Sequence, residues 1–415
     1  MKYSDYVNTK YKPKKDDLVC EFSFESKKDM KEAAGAIASE SSIGTWTETS
    51  TIKKYMMKLA ANVYDLKKTG KNSAICKIAY PNELWELNNM PGILSGIAGN
   101  IFGMKEVEAL KLVDVHFPKN ITHSFPGPKY GIEGIRKIVK VKNRPLIGTI
   151  VKPKIGLNSK DHANVAYQAW LGGCDIVKDD ENLVDQKFNR FENRLKETMK
   201  LKWKAERETG EKKIYMINVT AETQDMLKRA KLVQDYGNEY QMVDILTVGW
   251  AGLQTLRNKN YNLVIHGHRA GHAALDRVKN HGISMKVIAK LSRIIGCDQL
   301  HIGTSVGKMF ETRDEVMDNA YALQAVTQEM HGIKKTMPVA SGGLHPGNIP
   351  ALYKLFGNDV IMQMGGGIHW NPLGTKYGAM GARQALEATV KGIPLEEYAK
   401  HHPALQQALI YFRKK

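Results

Sequence analysis

From Pro145 onwards the sequence alternates between short apolar runs and longer amphipathic stretches, and it does so eight times. The runs cover residues 145–151, 174–177, 214–219, 242–248, 263–265, 300–302, 337–340 and 359–364. The stretches between them include residues 160–171, 221–235, 272–295 and 312–331, which have the periodicity of helices. Strands without a polar face must be covered on both sides, as in a parallel sheet flanked by helices. Eight such units predict a (β/α)₈ barrel.

The first 125 residues have a different pattern, with strand-like segments at 17–24, 73–80 and 107–117 and a helix-like segment at 29–41. A chain of 415 residues is also too long for one ordinary core. We therefore predict a small N-terminal α+β domain of ferredoxin-like type over residues 1–125. The barrel, with C-terminal helices, is predicted over residues 126–415.

Composition excludes several classes of protein. No apolar run approaches the roughly 18–20 residues that a membrane span needs. The first twenty residues are polar and lack the apolar segment of a signal peptide. The four cysteines are widely spaced and have no Cys-x-x-Cys pattern, which indicates free thiols in a reducing compartment. We expect a cytoplasmic protein with no membrane partner.

The net charge of +18 raises the question of nucleic acid binding. The basic residues are interleaved with glutamates along amphipathic stretches such as 196–213, and no nucleic-acid-binding motif accompanies them. We interpret the charge as a solvated basic surface, which also favours the capture of small polyanions.

Almost every apolar run ends in polar or glycine residues, and the active sites of such barrels lie at the carboxyl ends of the strands. Two endings, Ser341-Gly342-Gly343 and Gly365-Gly366-Gly367, suit phosphate because glycine lets backbone N–H groups approach an anion closely; two tight turns are the alternative. Further cationic or donor groups end other runs; they are Lys152, Lys154, Arg269, His301 and Lys308. This is more than one phosphate requires, so the pattern indicates a substrate with two.

The second run ends in Lys178, Asp179, Asp180 and Glu181. Alternation in a strand puts Lys178 and Asp180 on one face and Asp179 on the other. A structural ion pair is one reading of this pattern. The other is a metal site, because carboxylates at positions 180 and 181 suit Mg²⁺, although a third anionic ligand is then needed.

Zinc is the competing choice of metal, because the segment 266–272, HGHRAGH, carries three histidines. The third of them, His272, begins the next predicted helix, and no further ligand set accompanies the three. We therefore expect Mg²⁺.

Eight segments together resemble the large subunit of ribulose-1,5-bisphosphate carboxylase/oxygenase (Rubisco), and most of all its archaeal-type form III. They are ESSIGTWT (40–47), GNIFG (99–103), IVKPKIGL (150–157), GGCDIVKDDEN (172–182), HGHRAGHAALDR (266–277), HIGTSVGK (301–308), VASGGLHPG (339–347) and QMGGGIH (363–369). The resemblance implies carboxylation, and competing oxygenation, of ribulose 1,5-bisphosphate. The implied route to 3-phosphoglycerate is a Mg-stabilised enediolate.

The resemblance also implies a role for each site residue. Lys178 would react with CO₂ to form a carbamate, which would hold Mg²⁺ together with Asp180 and Glu181. Lys152 would act as acid and base near the reacting carbons, assisted by Lys154 and His268.

Substrate contacts follow from the same resemblance. One phosphate and the adjacent hydroxyls would be bound by Arg269, His301 and Ser341. The other phosphate would be bound at Gly342, Gly343, Gln363, Gly365, Gly366, Thr45 and Trp46. Lys308 would neutralise the carboxylate that forms from CO₂.

Glu40 and Asn100 would reach in from a partner subunit, which implies a homodimer or a ring of dimers, and no small subunit is expected. Three departures from plant-type enzymes leave CO₂/O₂ selectivity and loop closure open: Ile150 replaces a threonine, Phe310 replaces an acidic residue, and a long C-terminal tail is expected to be missing after Lys415.

Two other functions compete with carboxylation. A related enolase or isomerase would act on a similar sugar phosphate without fixing CO₂, and such relatives lose several of the substrate-binding residues that are present here. A basic binding protein without catalysis is the other reading.

Overall fold

The computed structural model describes residues 2–47, 49–307, 310–325 and 330–413. The chain forms two compact units. The sheet unit comprises Met1–Gly127, Gly271–Ile295 and Ala325–Ile333, and the barrel unit comprises Pro128–Ala270, Gly296–Gln324 and Lys334–Lys415. The domain boundary after residue 125 stays a prediction.

In chain order, the strands are β1 (Leu18–Glu25), β2 (Asn62–Lys68), β3 (Ser73–Tyr80), β4 (Ala109–His116), β5 (Leu146–Ile150), β6 (Ile176–Lys178), β7 (Ile214–Asn218), β8 (Tyr240–Asp244), β9 (Val264–His268), β10 (Gly282–Ile283), β11 (Gln299–Gly303), β12 (Met337–Ser341) and β13 (Ile361–Gln363). The α-helices are α1 (Met30–Glu40), α2 (Met90–Ile97), α3 (Lys119–Ser124), α4 (Gly131–Val139), α5 (Ser159–Leu171), α6 (Phe191–Thr209), α7 (Thr223–Asp235), α8 (Gly249–Asn258), α9 (Ala273–Asp276), α10 (Met285–Ile295), α11 (Arg313–Gln324), α12 (Ile349–Phe356), α13 (Gly366–His369), α14 (Thr375–Val390), α15 (Leu395–Ala399) and α16 (Pro403–Phe412).

The sheet unit contains a five-stranded sheet in the order β10-β4-β1-β3-β2. Its four long strands pair antiparallel, and β10 adds a short parallel edge beside β4. With α1 after β1 and α2 after β3, the connectivity is β-α-β-β-α-β, as in ferredoxin-like folds. Alternate residues of β1, such as Phe22 and Phe24, are buried and pack the core. The predicted α+β fold of the N-terminal region is confirmed.

The amphipathic stretch 272–295 does not form one continuous helix, because β10 and its flanking turns separate α9 from α10. Lys111 on β4 donates hydrogen bonds to the carbonyls of Asp276 and Val278, both at 2.9 Å, which holds this segment against the sheet. Gly282 has φ +100°, and a Cβ there would lie 1.9 Å from the Leu275 carbonyl oxygen. Amphipathic periodicity cannot detect a turn that depends on these contacts.

The barrel unit contains a closed parallel barrel in the order β5-β6-β7-β8-β9-β11-β12-β13, which confirms the predicted barrel. Its interior is filled by buried apolar residues from these strands, among them Leu146, Ile176, Ile214, Met242 and Val339. Helix α4 contributes its apolar residues to the same cluster and lies at the end where the strands begin. The opposite end is left to polar side chains.

One strand is displaced from its predicted position. The apolar run 242–248 predicts a strand to its last residue, whereas β8 ends at Asp244. The Val248 N–H donates to the Asp244 carbonyl at 3.1 Å, so the chain has already turned towards α8. Among the described residues, every helix is too short or too polar for a membrane span.

Candidate active site

Lys178 is the last residue of β6, and its side chain is only 1% exposed. Its Nζ donates a 2.7 Å hydrogen bond to the carbonyl oxygen of Asp179. Burial lowers the pKa of Lys178, although the carboxylates of Glu181 and Asp244 act in the opposite direction. The uncharged amine, which is the nucleophilic form, is therefore more populated here than it would be in water.

Asp179 faces away from Lys178, as the alternation of a strand predicts. Its carboxylate accepts hydrogen bonds from Arg194 Nε at 2.9 Å, the Tyr215 hydroxyl at 2.7 Å and the Asn218 N–H at 3.1 Å. These partners belong to α6 and β7, so Asp179 fixes the end of β6 from outside the barrel.

Asp180 and Glu181 lie on the site side of the same strand end. Asp180 Oδ2 accepts a 2.7 Å hydrogen bond from Lys152 Nζ, and Lys154 Nζ lies 3.4 Å from Glu181 Oε1. Both lysines follow β5, the strand next to β6. The structure thus brings together these four predicted residues, with a cation beside each carboxylate.

The donor set distinguishes between the two metals considered. Among the described residues there is no group of three or more His, Cys, Asp or Glu side chains that could hold a metal ion. His266 lies within hydrogen-bond distance of Gln299 and His301, and His272 of Asp276. Two carboxylates beside a buried lysine suit Mg²⁺ once that lysine supplies an anionic oxygen.

His268 ends β9 and is oriented by Asp244 at the end of β8. Its Nδ1 lies 2.8 Å from Asp244 Oδ1, and its Nε2 lies 3.9 Å from Glu181 Oε2. A carboxylate at Nδ1 favours the tautomer with the proton on Nδ1, which leaves a lone pair on Nε2. Sequence reasoning missed Asp244, because the apolar run continues past it and hides the strand end.

A chain of hydrogen bonds connects residues of β9, β11 and β12. His301 Nδ1 lies 2.7 Å from Ser341 Oγ, His301 Nε2 lies 2.9 Å from His266 Nε2, and His266 Nδ1 lies 2.9 Å from Gln299 Oε1. Burial lowers the pKa of both histidines well below the usual value, so both rings are uncharged at neutral pH. Gln299 and His266 therefore orient two predicted substrate contacts.

Arg269 follows β9 and forms a buried ion pair with Glu311. Glu311 was not singled out from the sequence, since nothing in the pattern of the segment after β11 predicts its partner.

Glycines border the site where β12 and β13 end. Gly342 and Gly343 have φ values of +122° and +75°, which favour glycine. A Cβ on Gly365 would lie 3.1 Å from Lys152 Cε, whereas nothing lies within 4 Å of a Cβ on Gly366. Gln363 ends β13, and its Oε1 is buried with no hydrogen-bond partner among the described residues.

The residues that mark departures lie at strand and loop ends. Ile150 is the half-buried last residue of β5, and Phe310 is 40% exposed. Lys308, predicted to be catalytic, lies outside the described residues.

Four predicted residues belong to the sheet unit, so the structure describes them apart from the barrel-end cluster. Glu40 ends α1, and its Oε1 is buried with no hydrogen-bond partner among the described residues. Thr45 and Trp46 follow in the next loop, with Trp46 79% exposed. Asn100 begins a short 3₁₀ turn and is exposed.

Comparisons with known proteins agree along nearly the whole chain. Residues 5–121 match the family described as ribulose bisphosphate carboxylase large chain, N-terminal domain, and residues 131–412 match its catalytic domain. Proteins named ribulose bisphosphate carboxylase are similar in sequence. The one from Methanosarcina mazei is 50% identical over 99% of both chains, and the one from Methanocaldococcus jannaschii is 45% identical over 99% of this chain and 100% of its own.

Solved structures are similar as well. The octameric Rubisco of Pyrococcus horikoshii, in complex with sulfate ion, has a TM-score of 0.95 and 43% identity, over 99% of this chain and 97% of its own. The dimeric archaeal Rubisco of Hyperthermus butylicus has a TM-score of 0.92 and 45% identity, over 99% of both chains. The chain therefore belongs to the ribulose bisphosphate carboxylase large-chain family.

Proposed function

We propose that this chain is a ribulose-1,5-bisphosphate carboxylase, with O₂ as a competing reactant. CO₂ adds to the enediolate of the substrate, and addition of water with cleavage of a C–C bond then gives two molecules of 3-phosphoglycerate. The observation that carries the proposal is the buried Lys178 beside Asp180 and Glu181, with Lys152 and His268 at the same strand ends. Family membership supports it over nearly the full length of the chain.

The proposed cofactor is Mg²⁺. An uncharged Lys178 amine would form an N–C bond to CO₂ and release a proton, which gives a carbamate with an anionic oxygen. That oxygen, Asp180 and Glu181 would then hold the ion. When bound, Mg²⁺ would stabilise negative charge on the substrate oxygens as the C3 proton is removed.

Two side chains are proposed to move protons. Lys152 lies against Asp180, at the strand end where the reacting carbons would be bound. His268 keeps a lone pair on Nε2 because Asp244 fixes its other nitrogen, so it can accept a proton from a substrate hydroxyl. Lys154 beside Glu181 would keep the site cationic.

The two phosphates would be bound at separate groups of strand ends. Arg269, His301 and Ser341 follow or end β9, β11 and β12, where the hydrogen-bond chain orients the last two. The glycines at 342, 343, 365 and 366 offer backbone N–H groups for the other phosphate, with Gln363 beside them and with Thr45 and Trp46.

The proposed assembly is a homodimer or a ring of dimers, in which the sheet unit of one subunit completes the site of its partner. Two observations support this: Glu40 Oε1 is buried with no hydrogen-bond partner in the part of the chain that the structure describes, and Trp46 is exposed. Mixing Lys178→Ala chains with Asn100→Ala chains should restore part of the activity in hybrid dimers. A fully active monomer in sedimentation experiments would contradict the proposal.

The test of function is incorporation of labelled bicarbonate into 3-phosphoglycerate with ribulose bisphosphate and Mg²⁺. Lys308→Ala separates carboxylation from the competing enolase activity, because the carboxylate that Lys308 would neutralise does not exist during enolisation. We expect carboxylation to fall by about 10²–10³-fold, on the scale of losing one oxyanion donor. Exchange of the C3 proton with solvent should largely survive.

If the parent protein exchanges the C3 proton and incorporates no label, it is an enolase-type relative and the proposal is wrong. If both reactions fall together in Lys308→Ala, then Lys308 serves substrate binding.

A further inference from the structure

The ion pair between Arg269 and Glu311 is unusual for a residue expected to bind a phosphate. The side chains are only 5% and 3% exposed, so a carboxylate already holds a guanidinium that solvent barely reaches. Glu311 lies two residues before α11, and both partners belong to the barrel unit. A phosphate that binds Arg269 must therefore share the guanidinium with this carboxylate or displace the carboxylate from it.

Gly303, the last residue of β11, makes room for the pair. A Cβ at this position would lie 3.2 Å from Glu311 Oε1 and 3.3 Å from Arg269 Nη2, and the residue has φ +93°. The backbone thus brings the carboxylate directly onto Nη2 of the guanidinium.

The pair is nevertheless incomplete on the carboxylate side. Glu311 Oε2 is buried and has no hydrogen-bond partner among the described residues. By contrast, Asp175 pairs with Arg144 through both oxygens, at 2.8 and 2.7 Å. Because a buried ion pair repays its desolvation only when the remaining lone pairs are also satisfied, Glu311 is held less firmly than Asp175.

We propose that Glu311 is a specificity residue, an internal carboxylate that competes with the phosphate of the substrate for Arg269. The inference rests on the proposed function in one respect, the assignment of a phosphate to Arg269. A phosphate dianion offers three oxygens and more charge than one carboxylate, so it can replace Glu311. The second phosphate of a bisphosphate, anchored elsewhere, raises the effective concentration of the first. Inorganic phosphate lacks that anchor, so it competes poorly with Glu311 for Arg269. Glu311 therefore selects against binding of inorganic phosphate.

The experiment is to measure binding of inorganic phosphate and of ribulose bisphosphate to the full chain by calorimetry, for the parent and for Glu311→Gln. Glutamine keeps the size of the side chain and removes the competing charge beside the buried guanidinium. We expect inorganic phosphate to bind at least about tenfold more tightly, which corresponds to about 1.4 kcal/mol. The ratio of the two affinities should fall.

Asp314→Asn is the matched control, because it removes one negative charge from an exposed position three residues away. Its phosphate affinity should stay within about twofold of the parent value, since exposed charges are screened by salt. Unchanged or weaker phosphate binding in Glu311→Gln would overturn the proposal and make Glu311 a residue that only positions Arg269.

Two further variants keep the test decisive. Glu311→Asp retains the charge at a shorter reach, and it should bind phosphate with an affinity between those of the parent and Glu311→Gln. Adding Arg269→Gln to Glu311→Gln should abolish the gain. Because binding needs no turnover, a parent without carboxylase activity would refute the proposed function alone. Persistence of the gain without Arg269 would refute this inference alone.

Discussion

The two ends of the barrel strands use buried charges differently. Where β6 is about to begin, Asp175 accepts hydrogen bonds from Arg144 at 2.7 and 2.8 Å and from the Ile147 N–H at 2.9 Å. Where β6 ends, Lys178 and Asp180 are as deeply buried, but they converge with Glu181 on one site.

Asp298, just before β11, is like Asp175 a buried carboxylate at the end where the strands begin. Its carboxylate accepts hydrogen bonds from the N–H groups of Tyr130, Gly131 and Ile265 at 2.6, 3.0 and 3.0 Å. Burial raises its pKa, and these N–H groups oppose that shift only in part. At the other end, Gln363 Oε1 on the last residue of β13 is buried with no hydrogen-bond partner among the described residues. The carboxylates of Asp175 and Asp298 are thus held by groups of the protein, whereas Gln363 Oε1 remains available for a ligand.

The largest effect should come from Lys178→Arg. Arginine keeps the positive charge but forms no stable carbamate, so the third anionic ligand is lost. Carboxylation should fall by at least about 10³-fold, since a bound metal contributes several kcal/mol of charge stabilisation. Preincubation with CO₂ and Mg²⁺ should raise the initial rate of the parent and leave that of the variant unchanged. An active variant would remove the carbamate assignment.

Asp175→Asn should have the next largest effect, and it should act on stability. The change leaves the Arg144 guanidinium buried without its counter-ion, which costs about 3 kcal/mol in the free energy of unfolding. Urea denaturation followed by tryptophan fluorescence measures this loss, while kcat of the folded variant should stay near the parent value. A lower kcat with unchanged stability would contradict the view that Asp175 serves stability and not the site.

The same residue predicts a pH dependence. Burial opposes ionisation of Asp175, but the hydrogen bonds and charge of Arg144 outweigh it and lower the pKa. A carboxyl with a lowered folded pKa contributes stability above its unfolded pKa of about 3.9, and this is lost as the pH falls through the folded pKa. The difference in the free energy of unfolding between the parent and Asp175→Asn should therefore shrink in acid, as measured by urea denaturation at a series of pH values.

Asp244→Asn should have the smallest of these effects. Asparagine no longer fixes the tautomer of His268, so kcat should fall by about 10–100-fold, as for partners that orient site residues. KM should change little, because Asp244 acts through His268. Asp225→Asn removes an exposed carboxylate of α7 and serves as the control. A rise in KM as large as the fall in kcat would indicate a general disruption of the site.

Much of the fold and part of the site could be predicted because they depend on local pattern. The eight apolar runs identified all eight barrel strands, and the polar endings located Lys178, Asp180 and Lys152 at neighbouring strand ends. Asp244 escaped because an apolar run continues beyond the strand end. The division of residues 272–295 into α9, β10 and α10 escaped as well, because periodicity does not register the contacts of Lys111.

The sequence by itself determined the barrel, the small α+β fold and the polar rim, because side-chain periodicity decides which face of each element is buried. Only the tertiary structure decided which residues in and around the site pair: Glu311 with Arg269, Asp244 with His268, and Gln299 with His266. These partners are 42, 24 and 33 residues apart in the chain. No local pattern encodes such pairings; they arise when strand order and register bring separate strands side by side.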